Sequence, residues 1–426
     1  MHRIVVVGGG AGGLELVTKL GDLIGHKDDI SITLVDAGLT HVWKPLLHEA
    51  ASGSLDLAAN EVNYLVHSHQ HNYNYVYGSL VDINKDKKSI DIEIISLMNP
   101  EIKCIRSIEY DTLVLALGSK SNDFNVAGVK EHCYFLDSQD QAKKIHDNIF
   151  MSYFDMKQQV IPAQSDYHVA IIGGGATGVE LISELINLKN KMAETLFKEL
   201  SQIKVKFTLI DSSERLLSGL SPSISKEVEK NLAAMGVNIL KNARVSAIDA
   251  DKVYFSDGSA LEANLKVWTA GIKAPQVLED LNGFEKDNIH RLKVYATLQT
   301  YSDPNIFALG DCAHCQLDAA HPPLGARAQV ASQQAEFLAL SLINRLENKK
   351  LPMFKFVEKG SIVSLGKEQA VGEVLNELNI YGKLARTAYD ALYRLHQVNI
   401  HGLNQTVQLH KRDSAAKNLL KKFKLY

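Results

Sequence analysis

Ile4-Val5-Val6-Val7-Gly8-Gly9-Gly10-Ala11-Gly12-Gly13-Leu14-Glu15 opens the chain, and Val169-Ala170-Ile171-Ile172-Gly173-Gly174-Gly175-Ala176-Thr177-Gly178-Val179-Glu180 repeats its pattern, with Gly173 standing 165 residues after Gly8. Each copy is a short, fully apolar strand, a glycine cluster and a helix start. A second apolar strand then ends in an acid, at Asp36 in Ile32-Thr33-Leu34-Val35-Asp36 and at Asp211 in Phe207-Thr208-Leu209-Ile210-Asp211. Strand, glycine turn, helix, strand and acid make a complete βαβ unit, so the fold expected is α/β with two Rossmann-like domains.

The glycines have separate reasons to be there. Gly8 and Gly173 allow the tight turn, Gly10 and Gly175 let backbone approach a pyrophosphate, and Gly13 and Gly178 let helix pack on strand. A pyrophosphate would sit at each helix N-terminus, where free N–H groups and the helix dipole favour negative charge. Asp36 and Asp211 stand where an acid binds ribose hydroxyls. Asp211 would repel a 2′-phosphate, which favours NADH over NADPH, although the 33 residues from Gly178 to Asp211 exceed the usual spacing of about 20. A long second helix accounts for the excess, its buried face marked by Leu181, Leu185, Leu188, Met192, Leu196, Leu200 and Ile203. Two dinucleotide sites on one chain suggest one resident redox cofactor and one exchanging substrate, tail to tail with their reactive rings touching.

The rest of the composition narrows the class. At about 150 residues per domain, 426 residues predict about three domains. A net charge of −3 argues against wholesale nucleic-acid binding. No run of 18 apolar residues predicts a spanning helix, and the N-terminus lacks the pattern of a signal peptide. Four cysteines (Cys104, Cys133, Cys312 and Cys315) make no disulfide framework. Cys312-Ala313-His314-Cys315 reads as two buried cysteines rather than a redox pair, and no second pair completes a metal site, so no metal is expected. Residues 151–167, with Val160-Ile161-Pro162, read as a connector, and 236–270 as short strands with a turn at Ser256-Asp257-Gly258-Ser259. In the tail, Leu384, Ala388, Leu392 and Leu395 form one apolar stripe. Ala415, Ala416, Leu419, Leu420 and Phe423 form another, lined by Lys417, Lys421, Lys422 and Lys424. A basic amphipathic helix of this kind suits an anionic lipid surface, or packing on its own domain or on a second subunit of a homodimer.

The chain resembles the two-dinucleotide-binding-domain flavoproteins, and within them the type II NADH dehydrogenases, which are non-pumping NADH:quinone oxidoreductases. The likeness rests on His41-Val42-Trp43-Lys44-Pro45-Leu46-Leu47-His48-Glu49, Gly173 to Glu180, Trp268-Thr269-Ala270-Gly271-Ile272, Gly310-Asp311-Cys312-Ala313 and Arg327-Ala328-Gln329-Val330-Ala331-Ser332-Gln333. It implies FAD at the first turn, with Lys44, Gly118, Gly310 and Asp311 joining Gly8, Gly10, Gly13 and Asp36. It implies NADH at the second, with Ala270 and Gly271 joining Gly173, Gly175, Gly178 and Asp211. Gln329 and Gln333 match the family's quinone motif, and Glu180 its acid near nicotinamide and flavin, so these three are the candidate catalytic residues; Glu180 also counts as an NADH contact. Relatives that reduce disulfides carry a Cys pair where this chain has Trp43-Lys44-Pro45-Leu46-Leu47, so that acceptor is missing. His41 and His48 receive no catalytic role.

The expected domains are 1–120 and 286–345 for a discontinuous FAD domain, 121–285 for an inserted NADH domain, and 346–426 for a membrane-associating C-terminal region. The resemblance places the protein peripherally on the cytoplasmic side of the cell inner membrane. An NADH-dependent flavin reductase for a soluble acceptor (ferredoxin, rubredoxin or a disulfide) and a non-turnover FAD/NADH redox sensor are the alternatives.

Overall fold

A strand as apolar as Ile4-Val5-Val6-Val7 must bury both faces, which a parallel sheet allows. In the computed structural model, which describes the chain apart from residues 56–59, 159–165, 196–204, 368, 375–377 and 424–426, the strand His2–Val7 lies between Ile30–Asp36 and Thr112–Leu115. It runs parallel to both, with Val7 opposite Val35 and Leu115. Asn74–Tyr77 and Asp303–Ala308 extend the sheet in parallel on either side. Gln299–Thr300, Leu292–Val294 and Ala313–Cys315 bring it to eight strands. The helix Ala11–Ile24 packs against the helix Ala328–Leu346.

The second glycine turn follows the strand Tyr167–Ile172, the centre of a parallel sheet ordered Val237–Leu240, Val205–Ile210, Tyr167–Ile172, Leu265–Trp268. Ile172, Ile210, Val253 and Trp268 share one core there. The short strands expected in 236–270 are present, and Gly258 turns between Lys252–Phe255 and Ala260–Glu262. The helix Ala176–Thr195 buries Leu181, Leu185 and Met192. Leu196, Leu200 and Ile203, and the connector residues Val160-Ile161-Pro162, lie outside the described residues.

The chain divides into two compact units: Met1–Lys44, Asn60–Lys120 and Ile272–Val357 in the first, Pro45–Ala59, Ser121–Gly271 and Glu358–Tyr426 in the second. The division differs from the one read in the sequence. The first unit resumes at Ile272 rather than 286, and 346–426 is no separate region: its first residues stay with the first unit and Glu358–Tyr426 joins the second. The reason is packing. The strands Gly360–Ser364 and Ala370–Val374 lie against the helices Ala176–Thr195 and Pro222–Ala234, and the short helix Leu47–Ala51 against Gln139–Lys157 and Ala176–Thr195.

Candidate active site

In the first unit, Gly8 has φ +103°, and a Cβ there would fall 2.4 Å from the Ala116 carbonyl oxygen. A Cβ on Gly13 would come within 1.8 Å of the Gly8 oxygen, so helix and strand touch backbone to backbone. At Gly10 a Cβ would meet nothing within 4 Å, and Gly10 starts the helix Ala11–Ile24 without a side-chain cap. The turn is therefore closed behind and open in front, with helix N–H groups facing the opening. Asp36 accepts the Gly9 N–H at Oδ2 (2.6 Å) and the Gly38 N–H at Oδ1 (2.7 Å). Each oxygen keeps acceptor capacity for a ribose hydroxyl. Burial raises the Asp36 carboxyl above its ordinary value, against the pull of those two N–H groups.

The late strand Asp303–Ala308 delivers Gly310 and Asp311 to the same unit. Ser119 Oγ donates to Asp311 Oδ2 (2.8 Å), Lys44 Nζ to the Ser119 carbonyl (3.0 Å), and the Gly310 N–H to Gln334 Oε1 (2.7 Å). Lys44, Ser119, Asp311 and Gly310 thus lie along one short stretch with the buried Gln334, and Gly118 is the chain neighbour of Ser119. An open phosphate cradle, an acid with spare lone pairs and this polar strand end fit FAD.

The second unit repeats the cradle. A Cβ on Gly175 would meet nothing within 4 Å, whereas on Gly178 it would lie 1.9 Å from the Gly173 oxygen. Asp211 accepts the Gly174 N–H and, at 2.6 Å, the Ser213 N–H. Thr269 Oγ1 donates to the Ile172 and Gly173 carbonyls (3.0 and 3.1 Å), and Trp268 Nε1 to the Asn122 and Ala270 carbonyls (2.8 and 3.1 Å). Ala270 and Gly271 therefore border the turn on a fixed backbone.

Behind this turn lies a buried polar cluster. Glu180 Oε1 accepts the Ser364 N–H (3.0 Å), and Oε2 lies 3.5 Å from His48 Nδ1. Arg386 reaches Glu49 Oε1 (3.0 Å), Ser364 Oγ (2.7 Å) and Asp390 Oδ1 (3.0 Å). One helical turn past Glu180, Glu184 accepts from Ser52 Oγ (3.2 Å) and Ser54 Oγ (3.0 Å). Burial, with the Glu49 charge adding to it, pushes the Glu180 carboxyl up to about 8, and burial lowers His48 to about 4. At pH 7 the two are a carboxylic acid beside a neutral imidazole, and Arg386 pairs with Glu49 instead.

The geometry matches known proteins. A family model described as pyridine nucleotide-disulphide oxidoreductase matches residues 2–335. A type II NADH:quinone oxidoreductase of Haemophilus influenzae is 36% identical over 422 residues, covering 94% of this chain and 95% of its own. The chain belongs to the type II NADH:quinone oxidoreductases. Among solved structures, NDH2 from Plasmodium falciparum in complex with NADH shares the fold at a TM-score of 0.80 and 21% identity, covering 94% of this chain and 96% of that one. The sulfide:quinone oxidoreductase of Aquifex aeolicus does so at 0.74 and 20%, covering 94% and 92%.

In this type II chain, Gln329 and Gln333 stand one turn apart and half-buried on the helix Ala328–Leu346, in the first unit; Glu180 is in the second. Gln333 is engaged at both ends of its amide: Nε2 donates to the Val357 carbonyl (2.8 Å) and Oε1 accepts the Val357 N–H (3.0 Å). Cys312 donates to the Leu309 and Leu115 carbonyls (3.3 and 3.4 Å), and burial pushes its thiol up to about 12 and that of Cys315 to about 11. Sequence reading missed Glu184, Arg386, Gln334 and Thr269. Glu184 had a signal, since Glu180 and Glu184 share a helix face with Leu181 and Leu185. Arg386 had none, being 206 residues from Glu180 (386 − 180).

Proposed function

We propose that this chain is a non-pumping NADH:quinone oxidoreductase that holds FAD at the Gly8–Gly13 turn, binds NADH at the Gly173–Gly178 turn and works peripherally at an anionic lipid surface, on the cytoplasmic face of the inner membrane. When bound, FAD would accept hydride from NADH and pass two electrons to a quinone, whose reduction also takes up two protons. The observation that carries the reading is two complete dinucleotide cradles on a chain whose Cys312 and Cys315 are buried and held as thiols. A dithiol relay needs thiolate character, and burial suppresses it here.

The residues divide the work. Gly10 and Gly175 keep the two cradles open, and Asp36 and Asp211 hold each turn while offering lone pairs to ribose. Lys44, Ser119 and Asp311 fix the polar strand end. Gln329 orients a quinone carbonyl, since an amide both donates and accepts without adding charge. Gln333 acts through its two-point pairing, which holds the Val357 backbone beside that helix. Glu180 holds a proton at neutral pH for the acceptor side.

One stopped-flow experiment tests the reading. Protein reduced with NADH is mixed with a short-chain quinone while flavin absorbance is followed. Reoxidation well above the rate in air is expected, and Gln329→Ala and Gln333→Ala should slow that half-reaction while sparing reduction by NADH. Reoxidation no faster than in air would mark a sensor, and turnover only with a soluble protein acceptor would mark the other reductase class.

A further inference from the structure

We infer that Tyr64 and Tyr75, with His41, clamp the first glycine turn and are positioning residues that keep its dinucleotide resident while the second turn lets its dinucleotide exchange. This rests on the reading that FAD occupies the first turn and NADH the second.

The clamp closes a ring around two residues, Gly9 and Gly38. Asp36 takes the N–H groups of Gly9 and Gly38. The carbonyls of the same two residues are taken by tyrosines: Tyr64 Oη donates to the Gly9 oxygen (2.7 Å) and Tyr75 Oη to the Gly38 oxygen. The two phenol rings stack with centroids 5.3 Å apart. His41 Nδ1 adds a third donor to the system, at 2.9 Å from the Gly9 oxygen. His41 and Tyr64 are brought there by the antiparallel pairing of Thr40–His41 with Val62–Asn63 and by the helix that starts at Tyr64, both within the first unit. Burial, and then the Asp36 charge, holds the Tyr64 phenol well above its ordinary value, so it stays a donor.

The direction of these bonds matters. A trans peptide points its C=O and the next N–H to opposite sides. Fixing the Gly9 carbonyl inward on Tyr64 and His41 therefore aims the Gly10 N–H outward, into the open front of the cradle. The same ring immobilises the Asp36 carboxylate that would meet ribose. A site ordered before binding loses less freedom on binding, and the gain appears as slower release.

Among the described residues, the second turn keeps the acid and lacks the phenols. Asp211 holds Gly174 and Ser213, but the Gly174 carbonyl accepts the backbone N–H of Leu217 (2.9 Å). A Cβ on Gly9 would strike the Tyr64 ring at 2.5 Å, and one on Gly174 would strike Leu216 Cδ2 at the same distance. An aliphatic side chain thus fills the place of the phenol.

The test uses the FAD-loaded protein and its Tyr64→Phe, Tyr75→Phe and double variants, which keep the rings and remove the hydroxyls. FAD release on dilution is followed by the rise in free-flavin fluorescence, and urea unfolding of each apoprotein is measured beside it. A hydrogen bond of ordinary net worth predicts release about two- to tenfold faster per tyrosine, with the KM for NADH unmoved and the apoprotein losing less stability than FAD binding loses. Unchanged release in the double variant overturns the inference, as does faster release matched by an equal loss of apoprotein stability, which marks a packing role. A wild-type protein that takes up no FAD overturns the functional reading itself and this inference with it.

Discussion

Burying a carboxyl disfavours its charged form, and at Glu180 burial, with the Glu49 charge adding to it, pushes the pKa up to about 8 against the pull of the Ser364 N–H. A proton held there at neutral pH is available to an acceptor that must gain two. If Glu180 supplies one, the rate of the quinone half-reaction should fall as pH rises through about 8, and Glu180→Gln should lower the rate and flatten that limb while reduction by NADH continues. An unchanged limb in the variant would place the proton source elsewhere. The same shift governs stability. With the folded pKa above the ordinary carboxyl value, Glu180 contributes stability that is fully present below about pH 4.5 and lost as pH rises to about 8. His48, depressed from 6.5 to about 4, contributes stability present above 6.5 and lost as pH falls toward 4. The two slopes oppose each other between, so the Glu180 loss should be clear of His48 from about pH 6.5 to 8, where it amounts to about 2 kcal/mol at ~1.4 kcal/mol per pH unit. Urea unfolding at those two pH values measures it, and in Glu180→Gln that part of the decline should vanish.

The glycine turns allow a sharper comparison, because the same substitution has different consequences one step along the element. Gly13→Ala and Gly178→Ala place a Cβ under 2 Å from the Gly8 and Gly173 oxygens, backbone that cannot step aside, so both should destabilise the fold. Gly10→Ala and Gly175→Ala meet open space and should fold normally. Gly10→Ala should weaken FAD retention tenfold or more, and Gly175→Ala should raise the KM for NADH with flavin content intact; equal binding in the variants would mean that the cradles face no phosphate. This much was legible in the sequence, because a strand, a turn and a helix face are set by residues within a few positions of one another. The sequence offers the acids as candidate ribose partners, but it could not show that they fasten each turn, since Asp36 meets Gly9 across 27 residues and Asp211 meets Gly174 across 37. Gln333 shows the other limit. Its spacing from Gln329 put both on one face, yet spacing could not reveal that Val357 occupies its amide. The cluster around Glu180 draws on the helix Leu47–Ala51, the strand Gly360–Ser364 and Arg386, and only tertiary packing brings those together.

At the scale of the whole chain, one pattern written twice builds two units, and what distinguishes them lies in segments that neither repeat contains. The tail is the largest of these. The helix Gly382–Phe423 breaks at Gly402, where φ is +74°. Before the break it buries Ala385, His396, Gln397 and Ile400, while Leu384, Leu392 and Leu395 stay exposed, with Leu403 and Val407 exposed beyond it. Of the stripe read in the sequence, Ala388 thus packs against the core of Ala370, Ile380 and Ala385, and the three leucines face outward. The side chains of 413–423, which hold the second stripe of Ala415, Ala416, Leu419, Leu420 and Phe423 with its lysines, and Lys424 itself, lie outside the described residues. Among the described residues no helix is long and apolar enough to cross a membrane. Exposed leucines spaced along a helix in a segment with nine Lys/Arg against two Asp from Tyr381 to Tyr426 suit an anionic bilayer, where apolar burial and charge attraction add. Flotation with vesicles containing anionic lipid should recover the protein, and added salt should weaken the binding in part, because screening removes the charge term and leaves the leucines. Leu392→Glu with Leu395→Glu should release the protein from vesicles without altering turnover of a water-soluble quinone. Should the double variant stay on the vesicles and instead convert a dimer into a monomer, the stripe is the contact between two copies of the chain, and the lipid surface must be met by another part of the molecule.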